Sequence, residues 1–187
     1  MANSDTPRGL TPVRHRNGAP YNGAANLYVI PASDGTAVFI GDAVKSAGSA
    51  DAEGTPTVAR AAAGDAIRGV VVGVLPDTRE SLPYRAASTL RKVLVADDPD
   101  LVFEIQEDSV GGALTADDVG ENADLIVAVG STLTGRSRMQ LDSSTHVATA
   151  AQLRILRLVR RADNEIGANA KWEVSINEHE LAQTAGV

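Results

Sequence analysis

The chain has 187 residues, 43% of them hydrophobic and 22% charged, a globular composition with the length of one domain or one domain plus arms. It lacks cysteine, which excludes disulfides, thiol catalysis and cysteine-ligated zinc, and aromatics make up only 3%, too few for large ligand-stacking surfaces. The net charge of −7 is opposite in sign to that of most chains that wrap nucleic acid, so contact with DNA or RNA is not expected.

No segment approaches the roughly 20 apolar residues of a membrane span, so no membrane partner is expected. Met1-Ala2-Asn3-Ser4-Asp5 also lacks the charged and apolar regions of a signal peptide, and the chain is expected to stay soluble.

Residues 1–26 carry Pro7, Pro12 and Pro20 with Gly9, Gly18 and Gly23 between them. That spacing leaves no room for a helix or a central strand and predicts an extended N-terminal arm. Arg8, Arg14, His15 and Arg16 make the arm basic. It is expected to leave the body and lie along a neighbouring subunit, where Arg8, Arg14 and Arg16 meet acidic groups as partner-binding residues. The alternative is an arm folded back over its own body to cover an edge strand.

Residues 27–187 read as the body, a series of short β-type runs ending in a polar tail from Glu178 with a short helical turn. Leu27–Ile30 and Thr36–Ile40 are strand candidates ended by turn residues. Residues 45–66 are rich in Gly, Ala, Ser and Asp and are expected to loop out, apart from Thr57–Ala59. The nearly continuous Val run of Ile67–Leu75 suits a strand buried on both faces. Lys92–Ala96 and Leu101–Glu107 read as a hairpin across Asp97-Asp98-Pro99-Asp100. Leu101, Phe103 and Ile105 then share one face, as do Trp172, Val174 and Ile176 in Lys171–Asn177.

Leu125–Val129 and Met139–Leu141 are further short candidates. Arg154, Arg157 and Arg160 recur at helical spacing within Gln152–Arg161, but a strand with a bulge near Ile155-Leu156 is favoured, because its surroundings are β-like. About eight or nine short strands with regular turns predict an all-β fold, an antiparallel β-sandwich or a barrel.

Few residues suggest chemistry. His15, His146 and His179 are scattered and read as surface histidines. Ser109-Val110-Gly111-Gly112 and Gly130-Ser131-Thr132 fit neither a nucleophile elbow nor a phosphate loop and read as turns. The acidic residues between Asp97 and Asp124 lack calcium-loop spacing, and one Phe there offers no sugar-stacking cleft. No catalytic residue, metal ligand or cofactor site is expected.

A resemblance adds to this. Tyr84-Arg85-Ala86-Ala87-Ser88-Thr89, Val95-Ala96-Asp97-Asp98-Pro99-Asp100, Phe103-Glu104-Ile105-Gln106-Glu107-Asp108, Leu141-Asp142-Ser143-Ser144-Thr145, Leu153–Val159, Asp163-Asn164-Glu165-Ile166-Gly167 and Ala170–Val174 resemble blocks of the cement, or head decoration, proteins of tailed bacteriophages. Ile176-Asn177 and the opening Asn3–Leu10 do so as well, so the likeness spans nearly the whole chain.

The resemblance implies a structural virion protein with a jelly-roll-like β-sandwich body and no catalytic residues, made in the host cytoplasm and placed on the capsid exterior. Its implied partner is the major capsid protein, and copies of itself are expected as well, as a dimer or alternatively a trimer. Another non-enzymatic virion part, for head completion or the tail, is the runner-up, followed by a glycan- or receptor-binding β-sandwich.

Overall fold

The computed structural model describes residues 3–182 and builds them from twelve β-strands. Helical structure among these residues is limited to 3-10 turns at Ala116–Asp118, Ser143–Thr145 and Glu180–Ala182. The all-β expectation therefore holds, in the form of a closed barrel joined to an open sheet.

The barrel takes β2 (Asn26–Ile30), β3 (Ala43–Ala50), β4 (Pro56–Arg60), β5 (Gly69–Val74) and β6 (Arg91–Ala96), in the order β2-β4-β3-β5-β6. Antiparallel pairing of β6 with β2 closes it, and β2 with β4 is its one parallel pair. The sheet runs β1-β7-β12-β11-β8, all antiparallel, from β1 (Thr11–His15), β7 (Leu101–Gln106), β8 (Asn122–Ala123), β11 (Leu153–Leu158) and β12 (Lys171–Ile176). A short ribbon pairs β9 (Leu125–Ile126) with β10 (Gln140–Leu141).

Period-two alternation sorts the barrel side chains between two cores. Tyr28, Ile30, Val44, Val58, Val71, Val93 and Val95 fill one cluster, while Ala43, Val70 and Ala96 point the other way. That second set packs with Leu101, Phe103, Ile105, Trp172, Val174 and Ile176 in the larger core, which the sheet and barrel share. The Val run of β5 is thus used on both faces: Val70 and Val72 join one core, Val71 and Val74 the other. A register shift between Val71 and Gly73 changes its phase.

Several expectations are corrected. β6 and β7 do not form a hairpin: β6 pairs with β2 and β5, and β7 with β1 and β12. Asp97–Asp100 is the passage from barrel to sheet. Asp97 remains held to the barrel, accepting hydrogen bonds from Tyr28 Oη at 2.6 Å and Asn26 Nδ2 at 2.8 Å. The chain then turns away, with Leu101 N donating to Asp98 O at 3.1 Å.

Residues 45–50, expected in a loop, belong to β3, whose far half is exposed. After a register shift past Ser46, pairing of Ala50 with Pro56 and the hydrogen bonds between Ser49 and Thr57 hold that half, so hydrophobic alternation gives no sign of it. Thr36–Ile40 makes isolated bridges, Val38 with Arg85 and Ile40 with Arg136, in place of a ladder. β11 is a strand with a register shift between Ile155 and Arg157, which places the bulge where alternation changes phase.

The N-terminal segment also differs from the expected free arm, although Met1 and Ala2 lie outside the described residues. β1 is the edge strand of the body's own sheet, pairing Thr11 with Glu104 and His15 with Leu101. Pro12 is tolerated because this is an edge, and the register shifts between Pro12 and Arg14.

Asn3 Nδ2 donates to Glu165 O at 2.8 Å and Ala168 O at 3.0 Å. Gln106 ties the outer face of β7 to the same segment, accepting from Thr6 N at 2.9 Å and donating to Ser4 O at 2.8 Å. Leu10 is buried in the shared core. The covering of an edge strand, the alternative reading of this segment, is what the fold adopts.

Trp172 is fully buried, with Nε1 donating to Glu107 Oε2 at 3.3 Å. Trp172→Ala is expected to cost about 3–5 kcal/mol, read as a lower denaturant midpoint. Deletion of residues 2–20 removes β1 and Leu10 and bares the edge of β7. It should destabilise the body by more than ~3 kcal/mol in the same measurement; an unchanged midpoint would show that the segment contributes no stability.

Candidate functional site

Three backbone segments meet closely on one side of the molecule: residues 8–10, 40–42 and 135–139. Leu10 N donates to Gly41 O at 2.9 Å, Ile40 N to Gly135 O at 2.9 Å, and Ser137 N to Ile40 O at 2.8 Å. Gly9 (φ +70°) and Gly41 (φ +96°) both occupy the left-handed region. A Cβ on Gly9 would stand 2.3 Å from Gly41 O and 2.5 Å from Ser137 Cβ, and one on Gly41 would stand 2.4 Å from Arg8 O. Only glycine lets these segments touch.

This seam determines which side chains face out. Gly135, Ser137, Met139 and Leu141 are buried, so the extended backbone turns Arg136 and Arg138 to solvent and leaves Gln140 half-buried. Across the seam Arg8 is exposed, with Asp5 and Thr6 beside it.

These two walls border an open groove of about 800 Å³. Among the described residues, the side chains of Arg8, Arg136 and Arg138 make no ion pair and no hydrogen bond; Asp5 is the sole carboxylate along the groove. A tight loop rises from one wall, closed by Ser131 N donating to Arg136 O and Gly135 N to Ser131 O, both at 2.8 Å. Leu133 on this loop is 90% exposed, and Val129 just before it is 66% exposed. Gly130 anchors the loop beneath the Phe39 ring, which stacks on Tyr84 at 4.8 Å between centroids.

The three arginines expected to bind a partner are separated. Arg8 lines the groove. Arg14 is committed within the chain: Nη2 lies 2.6 Å from Glu173 Oε2, and Arg157 donates to both oxygens of the same carboxylate at 2.9 Å. Burial alone would raise the Glu173 pKa, but the hydrogen bonds from Arg157 and Arg14 outweigh it and hold the carboxyl below its ordinary value. Arg16 is exposed beyond the groove, with its amide donating to Asp100 O at 2.8 Å.

Arg136 and Arg138 escape a reading based on local apolar runs. Their signal is the alternation of small or apolar with polar residues through Gly135–Leu141, which begins four residues before Met139. A third missed residue is Arg85, a fully buried arginine that donates to the carbonyls of Pro31, Asp34, Thr36 and Thr89 at 2.6–2.8 Å. It pins the loops beneath Phe39 and Tyr84.

The acidic residues do not converge on one site. Asp97 faces Tyr28, Glu104 pairs with Arg161, and Glu107 is buried against Trp172. Burial raises the Glu107 pKa, while hydrogen bonds from Leu114, Ser109 and Trp172 oppose the rise.

Asp118, Glu121 and His146 place one potential ligand atom each within 4.8 Å of the others, a spacing that could hold a cation. The groups already satisfy one another. His146 Nδ1 bonds Glu121 Oε2 at 2.8 Å, and Asp118 Oδ2 accepts from Thr115 N at 2.7 Å to cap a 3-10 turn. His179, expected at the surface, is buried, and burial lowers its pKa.

No known family model, curated protein or solved structure matches this chain.

One buried acid lies beside the seam. Asp42 Oδ2 accepts from Phe39 N at 2.9 Å, while Oδ1 has no hydrogen-bond partner among the described residues. Burial raises its pKa from 3.8 to about 6, and the nearby Ser137 hydroxyl, the Phe39 amide and Arg60 offset this only in part. The folded state then holds a proton that the unfolded chain has released, so stability falls as pH rises from 3.8 to about 6 and levels off above.

Asp42→Asn removes that loss. The variant should gain about 2–3 kcal/mol on the wild type between pH 4 and pH 7, measured by denaturant unfolding at both values. A constant difference would show that Asp42 titrates normally.

Proposed function

We propose that this chain is a non-enzymatic structural protein of a tailed-phage particle. In this reading it binds the outer surface of the capsid and stabilises the shell by bridging neighbouring major capsid subunits, itself associating as a dimer. The observation that carries the reading is the groove: three arginines that make no ion pair among the described residues, beside a loop that exposes Leu133 and Val129. Such a surface combines charge for steering and register with apolar area that gains from being covered.

The resemblance to phage cement proteins, spread over nearly the whole chain, supplies the kind of partner. Repetition over a lattice supplies the strength, because a modest contact made many times per particle holds by avidity. The seam suits that role, since a rigid surface gives up little conformational freedom on docking.

The test is stoichiometry. Purified particles of the virus that encodes the chain should carry hundreds of copies on the shell exterior, and particles lacking it should lose their genome at lower temperature. A dozen or fewer copies would assign the chain to a head-completion or tail role instead. Absence from the particle would end the virion reading.

A further inference from the structure

We propose that the groove between Arg8 on one wall and Arg136 and Arg138 on the other is a binding site for an extended, acidic peptide segment, one carrying Asp or Glu at alternate positions. Assigning that segment to the major capsid protein rests on the function proposed above; the chemistry of the groove does not.

The first support is the unmatched charge. Arg14 and Arg157 share Glu173, Arg161 has Glu104 and Asp163, and Lys45 and Lys92 have Asp65 and Glu53. In a chain of net charge −7, acids are plentiful enough to pair every cation. Nine of the seventeen Lys and Arg nonetheless make no ion pair among the described residues, and three of the nine, Arg8, Arg136 and Arg138, border one groove. Like charges gathered this way repel one another, and an anionic ligand removes the repulsion as it binds.

The second support is spacing. Arg136 and Arg138 lie two residues apart on extended backbone, which sets their stems about 6.6 Å apart on one side. Alternate side chains of an extended peptide have the same repeat, so two carboxylates of such a segment meet two guanidinium forks in register. Arginine also suits carboxylates better than lysine does, because it offers two parallel N–H donors in a plane. Thr6 and Gln140, on opposite walls, supply further hydrogen-bonding groups.

The third support is rigidity. The seam of Gly9, Gly41 and Ser137 fixes the walls through backbone hydrogen bonds, so the arginine stems are placed before any ligand arrives. The chain's overall negative charge disfavours a nucleic acid as occupant, since a long polyanion meets repulsion from the rest of the surface.

The test uses the full chain and a fluorescein-labelled peptide of alternating Glu and Ala, followed by fluorescence anisotropy at low ionic strength. Amide chemical shifts locate the bound peptide. Binding is expected with shifts centred on residues 5–9 and 131–140. The combined substitution Arg8→Ala, Arg136→Ala, Arg138→Ala should weaken it by at least about tenfold, while Arg79→Ala, at an exposed position outside the groove lining, leaves it unchanged. All three groove residues are exposed, and a thermal melt confirms that the triple variant remains folded.

Equal binding by the triple variant would overturn the proposal. So would duplex DNA or inorganic phosphate binding as tightly as the peptide, since the groove would then be a general anion site. Capsids stripped of this protein separate the two readings. Undiminished loading of the triple variant refutes the groove as the capsid contact and leaves the cement role standing. Failure of the wild-type protein to load refutes the cement role, and the peptide measurement then decides the groove alone.

Discussion

The architecture depends on a close approach of backbones that only glycine permits. At Gly9 and Gly41 there is no space for even a methyl group, and Ser137 fills the remaining side of the contact. Through this point the N-terminal segment reaches the barrel, and the 135–141 segment reaches both. Leu10 can then enter the core shared by sheet and barrel, and β1 can take its place beside β7. A side chain at either glycine would separate these pieces by more than an ångström and loosen the shared core along with the surface above it.

Charge is distributed with the same economy. The acids outnumber the bases, and three cations of the sheet face, Arg14, Arg157 and Arg161, are tied to carboxylates of the same chain. Glu173 collects two arginines from different strands, which fastens β1 and β11 to β12 across the sheet. The groove arginines stand outside this network. A surface that is negative on the whole but carries a confined positive groove favours one orientation of approach over others.

Much of this fold could be read from residue patterns, and the failures share a cause. Strands whose two faces meet different environments were legible: Leu101, Phe103 and Ile105 alternate with their neighbours, as do Trp172, Val174 and Ile176, and the phase change at Leu156 marks a real bulge. The half of β3 past Ser46 was not legible, because an irregular pairing with β4 and polar bonds between Ser49 and Thr57 hold it without burying apolar side chains.

The apparent hairpin around Pro99 failed for a related reason. A turn signal says that the chain reverses or bends, and says nothing about which strand takes up each side. Of the candidate site, Arg8 stood out by its basic surroundings. Arg136 and Arg138 did not, because a contact more than a hundred residues away along the chain brings them opposite Arg8. Arg14 was conspicuous in sequence for the same reason as Arg8, yet Glu173 neutralises it.

The pairing of β1 with β7 has a consequence for the order of events in folding. Nearer in the chain, β1 meets the short return of residues 19–21, where His15 N donates to Ala19 O and Tyr21 N to Val13 O, but its ladder, beginning with Thr11, waits for Glu104. All five barrel strands lie between them, within residues 26–96, and can close on one another first. The ladder between β1 and β7 must therefore wait until about the first hundred residues are made, although residues 8–10 can meet Gly41 and the barrel sooner. Contacts of such long sequence separation slow folding, because loop closure comes before any reward from the contact. Pro7, Pro12 and Pro20, together with the arginines around them, suit a segment with a long wait, since neither residue type favours pairing with a stray strand edge.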